Sequence, residues 1–152
     1  MRVIRSLAFQ TFQVATVIPW AFLCLLWSPL PRPTRYRLTM LWLHMQIWAL
    51  RAVVGVDYRV LGAENLPDAP VILLSKHQST WETFFYPVFM PRELCYVFKR
   101  ELLYLPFFGW GIGLLDMIHI NRSRGTDAFE EVVRQGTVKL AQGRWIIMFP
   151  EG

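Results

Sequence analysis

From Ser6 to Pro31 the chain carries no charged residue. A helix needs about 20 apolar residues to cross a bilayer core, so Leu7 to Leu26 predicts an apolar helix of membrane length. Gln10, Thr11, Gln13 and Thr16 interrupt it, Pro19 breaks its middle, and Pro29, Pro31 and Pro33 predict its end. A second apolar stretch runs from Leu38 to Val56, broken only by Arg51, with Tyr36, Trp42 and Trp48 as rings suited to headgroup depth. Arg2 and Arg5 precede the first run and Arg32, Arg35 and Arg37 follow it. With both flanks basic, charge gives no orientation, which favours a re-entrant hairpin or a helix lying in the interface. No Ala-x-Ala pattern follows Leu26, so an anchor is the better reading than a cleaved leader. Residues 1–56 thus predict a pair of membrane-anchoring helices.

From Asp57 onward, short apolar runs alternate with helical spacing. Tyr58, Val60 and Leu61 predict a first strand, closed by Gly62 and an Asn65–Asp68 turn. Val71–Leu74 is an aliphatic run of the kind buried on both faces of a parallel sheet. Leu94–Phe98, Met117–Ile120 and Trp145–Phe149 predict three more strands. Between the last two, Asp127–Gln142 has helical period, with Phe129, Val132, Val133 and Leu140 near one face, an Asp127/Glu130 capping pair and Gly143 to end it. Strand, helix, strand in succession predicts an α/β domain over residues 57–152, with a largely parallel sheet flanked by helices. The sequence stops at Gly152, directly after a strand, where a covering helix is expected, so the chain reads as truncated after a core strand.

Composition sharpens this picture. Of the 152 residues 54% are hydrophobic and only 18% charged, fewer than the roughly 25% of an average soluble domain. Seven Trp and eleven Phe exclude a disordered chain. The net charge of +5, in so apolar a chain, suits anionic lipid or phosphate before nucleic acid. Cys24 and Cys95 make no disulfide framework and no zinc ligand set.

The richest segment for chemistry is Val71-Ile-Leu-Leu-Ser-Lys-His-Gln-Ser-Thr-Trp-Glu-Thr. A strand delivers His77 to a turn, and Glu82 follows within the first turns of a helix. A histidine base needs its second ring nitrogen held by an acceptor, and Glu82 can fold back to supply it. The same residues also form a capping box in which Glu82 merely returns a bond to Ser79. No Gly-x-Ser-x-Gly elbow occurs, so a base at His77 would activate a hydroxyl of the substrate. His44 and His119 read as ordinary partly buried residues. Met117-Ile-His-Ile-Asn-Arg-Ser-Arg brings Arg122 and Arg124 to a loop before a helix, where a phosphate can bind; a solvated basic loop is the plainer alternative. Lys99, closing the Leu94–Phe98 run, is another candidate phosphate partner. Gly109, Gly111 and Gly113 form G-x-G-x-G, but Leu114 stands where a dinucleotide fingerprint needs glycine. That stretch reads as a bend and a close helix packing, with a groove for an acyl chain as one use. Phe149-Pro-Glu-Gly alone is a turn signal.

Taken in order, these segments resemble the glycerolipid acyltransferase family, and best its 1-acyl-glycerol-3-phosphate (lysophosphatidate) acyltransferases. His77 with Glu82 matches the family's His-x4-Asp motif, Ile118–Arg122 its second motif, and Phe149–Gly152 its Phe-Pro-Glu-Gly motif. Glu82 stands where Asp is usual, and Asn121 where Asp commonly precedes the Arg. The resemblance implies acyl transfer from acyl-CoA or acyl carrier protein to the free hydroxyl of lysophosphatidate, giving phosphatidate. His77 would be the base, Glu82 its orienting partner, and Arg122, Glu151, Gly152 and Lys99 the holders of the glycerol phosphate. It implies no metal or redox cofactor, no nucleic acid partner, and a membrane location at the cytoplasmic face of a bacterial inner membrane. The alternatives are a non-catalytic lipid-binding relative and a sister acyltransferase acting on glycerol-3-phosphate or another lysolipid.

Overall fold

A computed structural model describes residues 2–121, 123 and 125–151. Helix α1 runs over Arg2–Leu26 and passes through Pro19 without ending. At 25 residues it is about 37 Å long at 1.5 Å per residue, more than the roughly 30 Å of a bilayer's hydrocarbon core. Helix α2 spans Arg32–Ala49 and widens into a π-turn over Leu50–Val54. Pro33 lies in its first turn, where a missing N–H costs nothing. The expected pair of helices is therefore present. Among the described residues, α1 is the helix long and apolar enough to cross a membrane, over Val3–Leu26.

The remainder is a four-stranded, all-parallel sheet in the order β1-β4-β2-β3. Its members are β1 (Ile72–Leu74), β2 (Leu94–Lys99), β3 (Ile118–Ile120) and β4 (Trp145–Met148). Helix α3 (Trp81–Phe89) joins β1 to β2, α4 (Phe108–Gly113) lies between β2 and β3, and α5 (Thr126–Ala141) joins β3 to β4. Period-two alternation sorts the strand residues between two cores. Cys95, Ile118 and Ile146 pack with Val132 of α5 on one face. Leu94, Trp145 and Ile147 pack on the other, with Tyr86 of α3, Tyr96 and Phe149. Tyr36, Met40 and Leu43 of α2 form a third cluster with Phe84 of α3, so α2 backs α3 from outside.

Charge ties the helices to the amino edge of the sheet. Arg144, just before β4, is 1% exposed and donates to the carbonyls of Asp116 (2.8 Å) and Leu115 (3.2 Å). Glu93 takes Arg32 of α2 at 2.7 Å, while Lys139 of α5 pairs with Asp116. The free edge of β3 is covered as well: the Gln135 amide accepts from the His119 N–H and donates to the His119 carbonyl, standing in for a neighbouring strand.

Three expectations are corrected. Tyr58–Leu61 forms no strand; among the described residues β1 is bonded only to β4, and the Tyr58 ring packs on Trp81 and Phe85 instead. Strand β1 is not buried on both faces, for Ile72 and Leu74 are 53% and 63% exposed at the sheet's edge. Helix α5 begins behind Gly125, which has no side chain to cap with, so the Asp127/Glu130 cap does not define its start. Its end is as expected: Gly143 has φ +77°, and its N–H bonds to the Leu140 carbonyl.

Candidate active site

All four strands run the same way, so their carboxyl ends share one edge, the usual place for a ligand in an open α/β sheet. That edge carries His77 three residues beyond β1, Phe149 directly beyond β4, Lys99 at the end of β2 and Asn121 directly beyond β3. The Ser75 N–H bonds to the Met148 carbonyl, extending the β1–β4 ladder by one step toward His77. The Ser75 hydroxyl meets the Tyr86 hydroxyl of α3 at 2.6 Å, which anchors the turn to the helix that follows it.

His77 Nδ1 lies 3.6 Å from Glu82 Oε2, with the two side chains 40% and 15% exposed. That separation is just beyond a hydrogen bond, and contacts of this kind tighten when substrate binds. The same Oε2 accepts from the Ser79 N–H at 2.9 Å and from the Ser79 hydroxyl at 3.2 Å. The oxygen that makes the capping bonds is thus also the one nearest His77, so the capping and base-orienting readings can hold together. Burial pushes the Glu82 carboxyl up, but bonds from the N–H groups of Ser79, Glu82 and Gln78 and from the Ser79 hydroxyl outweigh it and hold the group below its ordinary value. Glu82 is thus kept charged beside the imidazole.

The sequence places Phe149 at a strand end and in the Phe-Pro-Glu-Gly segment, with no contact to His77 foreseen. Its ring lies against His77 with centroids 4.4 Å apart and planes 24° from parallel. Tyr96 of β2 follows at 6.3 Å from Phe149 and donates its hydroxyl to the Thr83 carbonyl of α3 at 3.0 Å. Burial pushes the Tyr96 phenol up, and the neighbouring Tyr36, Tyr86 and Glu82 add to the rise, so it stays a donor. The aromatic spacing could have suggested this row, but only the β1-β4-β2 order brings the rings together.

Lys99 is exposed and sits in register with Ile120, so it reaches the β3 end of the edge rather than the His77 end. Asn121 is folded into a local turn, its Oδ1 accepting from the Ser123 N–H and hydroxyl. Glu151 is exposed beyond β4. Arg122, Arg124 and Gly152 lie outside the described residues. His44 hydrogen bonds Met40 on α2 and His119 lies within β3. Two hollows, of about 370 and 250 Å³, lie between the β2–β3 side and α5 and between α2 and α3, and neither is lined by His77; the imidazole faces open surface instead. Among the described residues no three His, Cys, Asp or Glu side chains converge as a metal-ligand set. The segment before β3 turns at Phe107, φ +66°, and a Cβ on Gly109 would lie 2.2 Å from the Leu103 carbonyl oxygen, the close approach expected of the glycine stretch.

A parallel α/β domain that presents a histidine–carboxylate pair at its carboxyl edge, behind an apolar amino-terminal helix, is the class this geometry defines. Residues 57–152 match the family model described as Acyltransferase, and the chain belongs to that family. It is similar to the 1-acyl-sn-glycerol-3-phosphate acyltransferase of Pseudomonas aeruginosa, 44% identical over 154 residues that cover 100% of this chain and 60% of the relative. The Saccharomyces cerevisiae protein of the same description is 30% identical over 105 residues, 68% of this chain and 34% of the relative. The crystal structure of the 1-acyl-sn-glycerophosphate (LPA) acyltransferase PlsC from Thermotoga maritima shares the fold at a TM-score of 0.71 and 23% identity, over 99% of this chain and 61% of that one. The chain spans less than two thirds of the length of each of these relatives.

Proposed function

We propose that the protein moves a fatty acyl group from a thioester to the free hydroxyl of 1-acyl-glycerol-3-phosphate, giving phosphatidate and a free thiol. The observation that carries this reading is the His77–Glu82 pair on an exposed sheet edge, without a protein nucleophile in the Gly-x-Ser-x-Gly context. His77 takes the proton of the lysolipid hydroxyl as that oxygen bonds to the thioester carbonyl carbon. The carbon–sulfur bond then breaks, and the imidazolium returns the proton to the departing thiolate. Glu82, charged and fixed by Ser79, orients the ring and stabilises its cationic form. Base catalysis of this kind is worth about 10²–10⁴-fold, and positioning of the two substrates supplies the rest.

Arg122 and Gly152 serve the glycerol phosphate in this reading, with Lys99 as a second cation. Glu151 acts there as a hydrogen-bond acceptor for the glycerol, since its charge repels phosphate. The names of the bacterial and yeast relatives support the lysophosphatidate acceptor. The donor is acyl-CoA or acyl carrier protein, and no metal or redox cofactor takes part. Helix α1 lies in the bilayer that holds both acceptor and product, with the α/β domain at the cytoplasmic face of a bacterial inner membrane, where acyl thioesters are made.

The test is phosphatidate formation by the full-length protein in lipid micelles, followed by mass spectrometry with each thioester donor in turn. Wild type forms phosphatidate, and His77→Ala loses at least about 100-fold. Near-normal rates in His77→Ala remove the base assignment, and faster acylation of glycerol-3-phosphate or a lyso-aminolipid rejects the acceptor.

A further inference from the structure

We infer that Phe149 is a positioning residue for His77: its aromatic face is the platform that fixes the imidazole plane while Glu82 fixes its rotation within that plane. The inference rests on the acyl-transfer reading above and deepens it. A histidine on a surface turn, 40% exposed, has two side-chain torsions and few neighbours to hold them. One contact at 3.6 Å to Glu82 constrains the ring at a point and leaves it free to swing about that point. Face contact with Phe149, at 4.4 Å and 24°, removes the swing and keeps the in-plane motion that closes the gap to Glu82.

Three features show that the platform is itself held. Pro150 follows Phe149, and a residue before proline is confined to extended backbone. Tyr96 stands on the β2 side of the Phe149 ring, and its bond to Thr83 ties that row of rings to α3, the helix that carries Glu82. The strand order β1-β4-β2 then sets His77 beside Phe149, with Tyr96, in register with Ile147, behind the Phe149 ring toward the sheet interior. The histidine's face and its carboxylate partner are thereby referred to the same two elements. The platform also has an electrostatic use: when His77 takes the proton from the lipid hydroxyl, the new cation lies over an aromatic face, which attracts it. An aliphatic side chain of similar bulk fills the space but offers no such face.

The experiment compares Phe149→Leu with Phe149→Tyr in the full-length protein in detergent micelles. Histidine ring signals are read by NMR in protein labelled at its three histidines, and the His77 signals are assigned by their loss in His77→Gln. A ring stacked on Phe149 carries an upfield ring-current displacement, which disappears in Phe149→Leu and persists in Phe149→Tyr. The His44 and His119 signals stay in place and report an intact fold. The rate constant for acyl transfer falls about three- to tenfold in Phe149→Leu, with KM for the thioester unchanged, and recovers in Phe149→Tyr. His77 signals that do not move in Phe149→Leu overturn the inference, as does a rate in Phe149→Tyr as low as in Phe149→Leu. Failure of the underlying acyl-transfer reading looks different: His77→Gln then forms phosphatidate normally, whatever the NMR signals do.

Discussion

At the scale of single residues, the proposed chemistry assigns two duties to one carboxylate oxygen. Glu82 Oε2 closes the amino end of α3 through Ser79 and stands beside His77. Glu82→Gln separates the duties, because a carboxamide oxygen still accepts the capping bonds but brings no charge to the imidazolium. We expect thermal stability at neutral pH to fall modestly, by the share the charged carboxylate contributes, and acyl transfer to fall about tenfold or more; a loss of stability with no loss of rate would mean that the residue is a cap only. The lowered carboxyl sets a direction for acid as well. A group depressed on folding contributes stability that is whole above its unfolded value, ordinarily 4.5, and is lost as pH falls through the folded one. The denaturation midpoint of wild type should therefore fall as pH is lowered through and below that value, and that of Glu82→Gln should fall less. The His77–Glu82 pair was legible because turn, spacing and side-chain chemistry are all local. The Phe149 contact was not, because it depends on which strand lies beside β1.

At the scale of elements, local pattern and tertiary pairing divide in the same way. Helix α5 and strand β4 could be read from period and length, and so could the close packing at the glycine stretch. A methyl group on Gly109 meets the backbone of Leu103 at 2.2 Å, so Gly109→Ala should cost about 1–3 kcal/mol by overpacking, measured by chemical denaturation in micelles. A stability equal to wild type would mean that α4 can move away from the Arg100–Tyr104 turn without loss. Tyr58–Leu61 misled because its residue types suit a strand, while the Tyr58 ring is taken up by Trp81 and Phe85 of α3. Arg144 was passed over for the opposite reason: a glycine–arginine pair before a strand looks solvated, yet the guanidinium is enclosed by the Leu115 and Asp116 carbonyls and lies 3.7 Å from Glu93. Arg144→Met should cost about 1.5–3 kcal/mol for the lost charged hydrogen bonds, and a thermal melt no lower than wild type would contradict the role given to it.

At the scale of the whole molecule, α1 carries a row of exposed apolar side chains. Val3, Ile4, Leu7, Val14 and Phe22 of α1 are more than half exposed. Phe22 packs edge-on against Phe107 and Trp110 beside α4, so the exposed ring of Phe108 and the Tyr104 and Leu105 side chains continue the greasy face of α1 onto the α/β domain. In the function proposed above, a lipid phase covers this surface. Replacing Val14 and Ile18 by Asp should move the protein from sedimented anionic vesicles to the supernatant with its helix content retained; continued sedimentation would show that α1 is not the anchor.

The proposed acyl transfer depends most on His77 acting as base toward a lipid hydroxyl, and single-turnover kinetics tests that directly. Full-length protein is mixed with lysophosphatidate and an acyl thioester, and thiol release and phosphatidate formation are followed together. In wild type the two should rise in step, and in His77→Gln both should slow by about 10² or more with lysophosphatidate still bound. Release of thiol at the wild-type rate by His77→Gln would contradict the account.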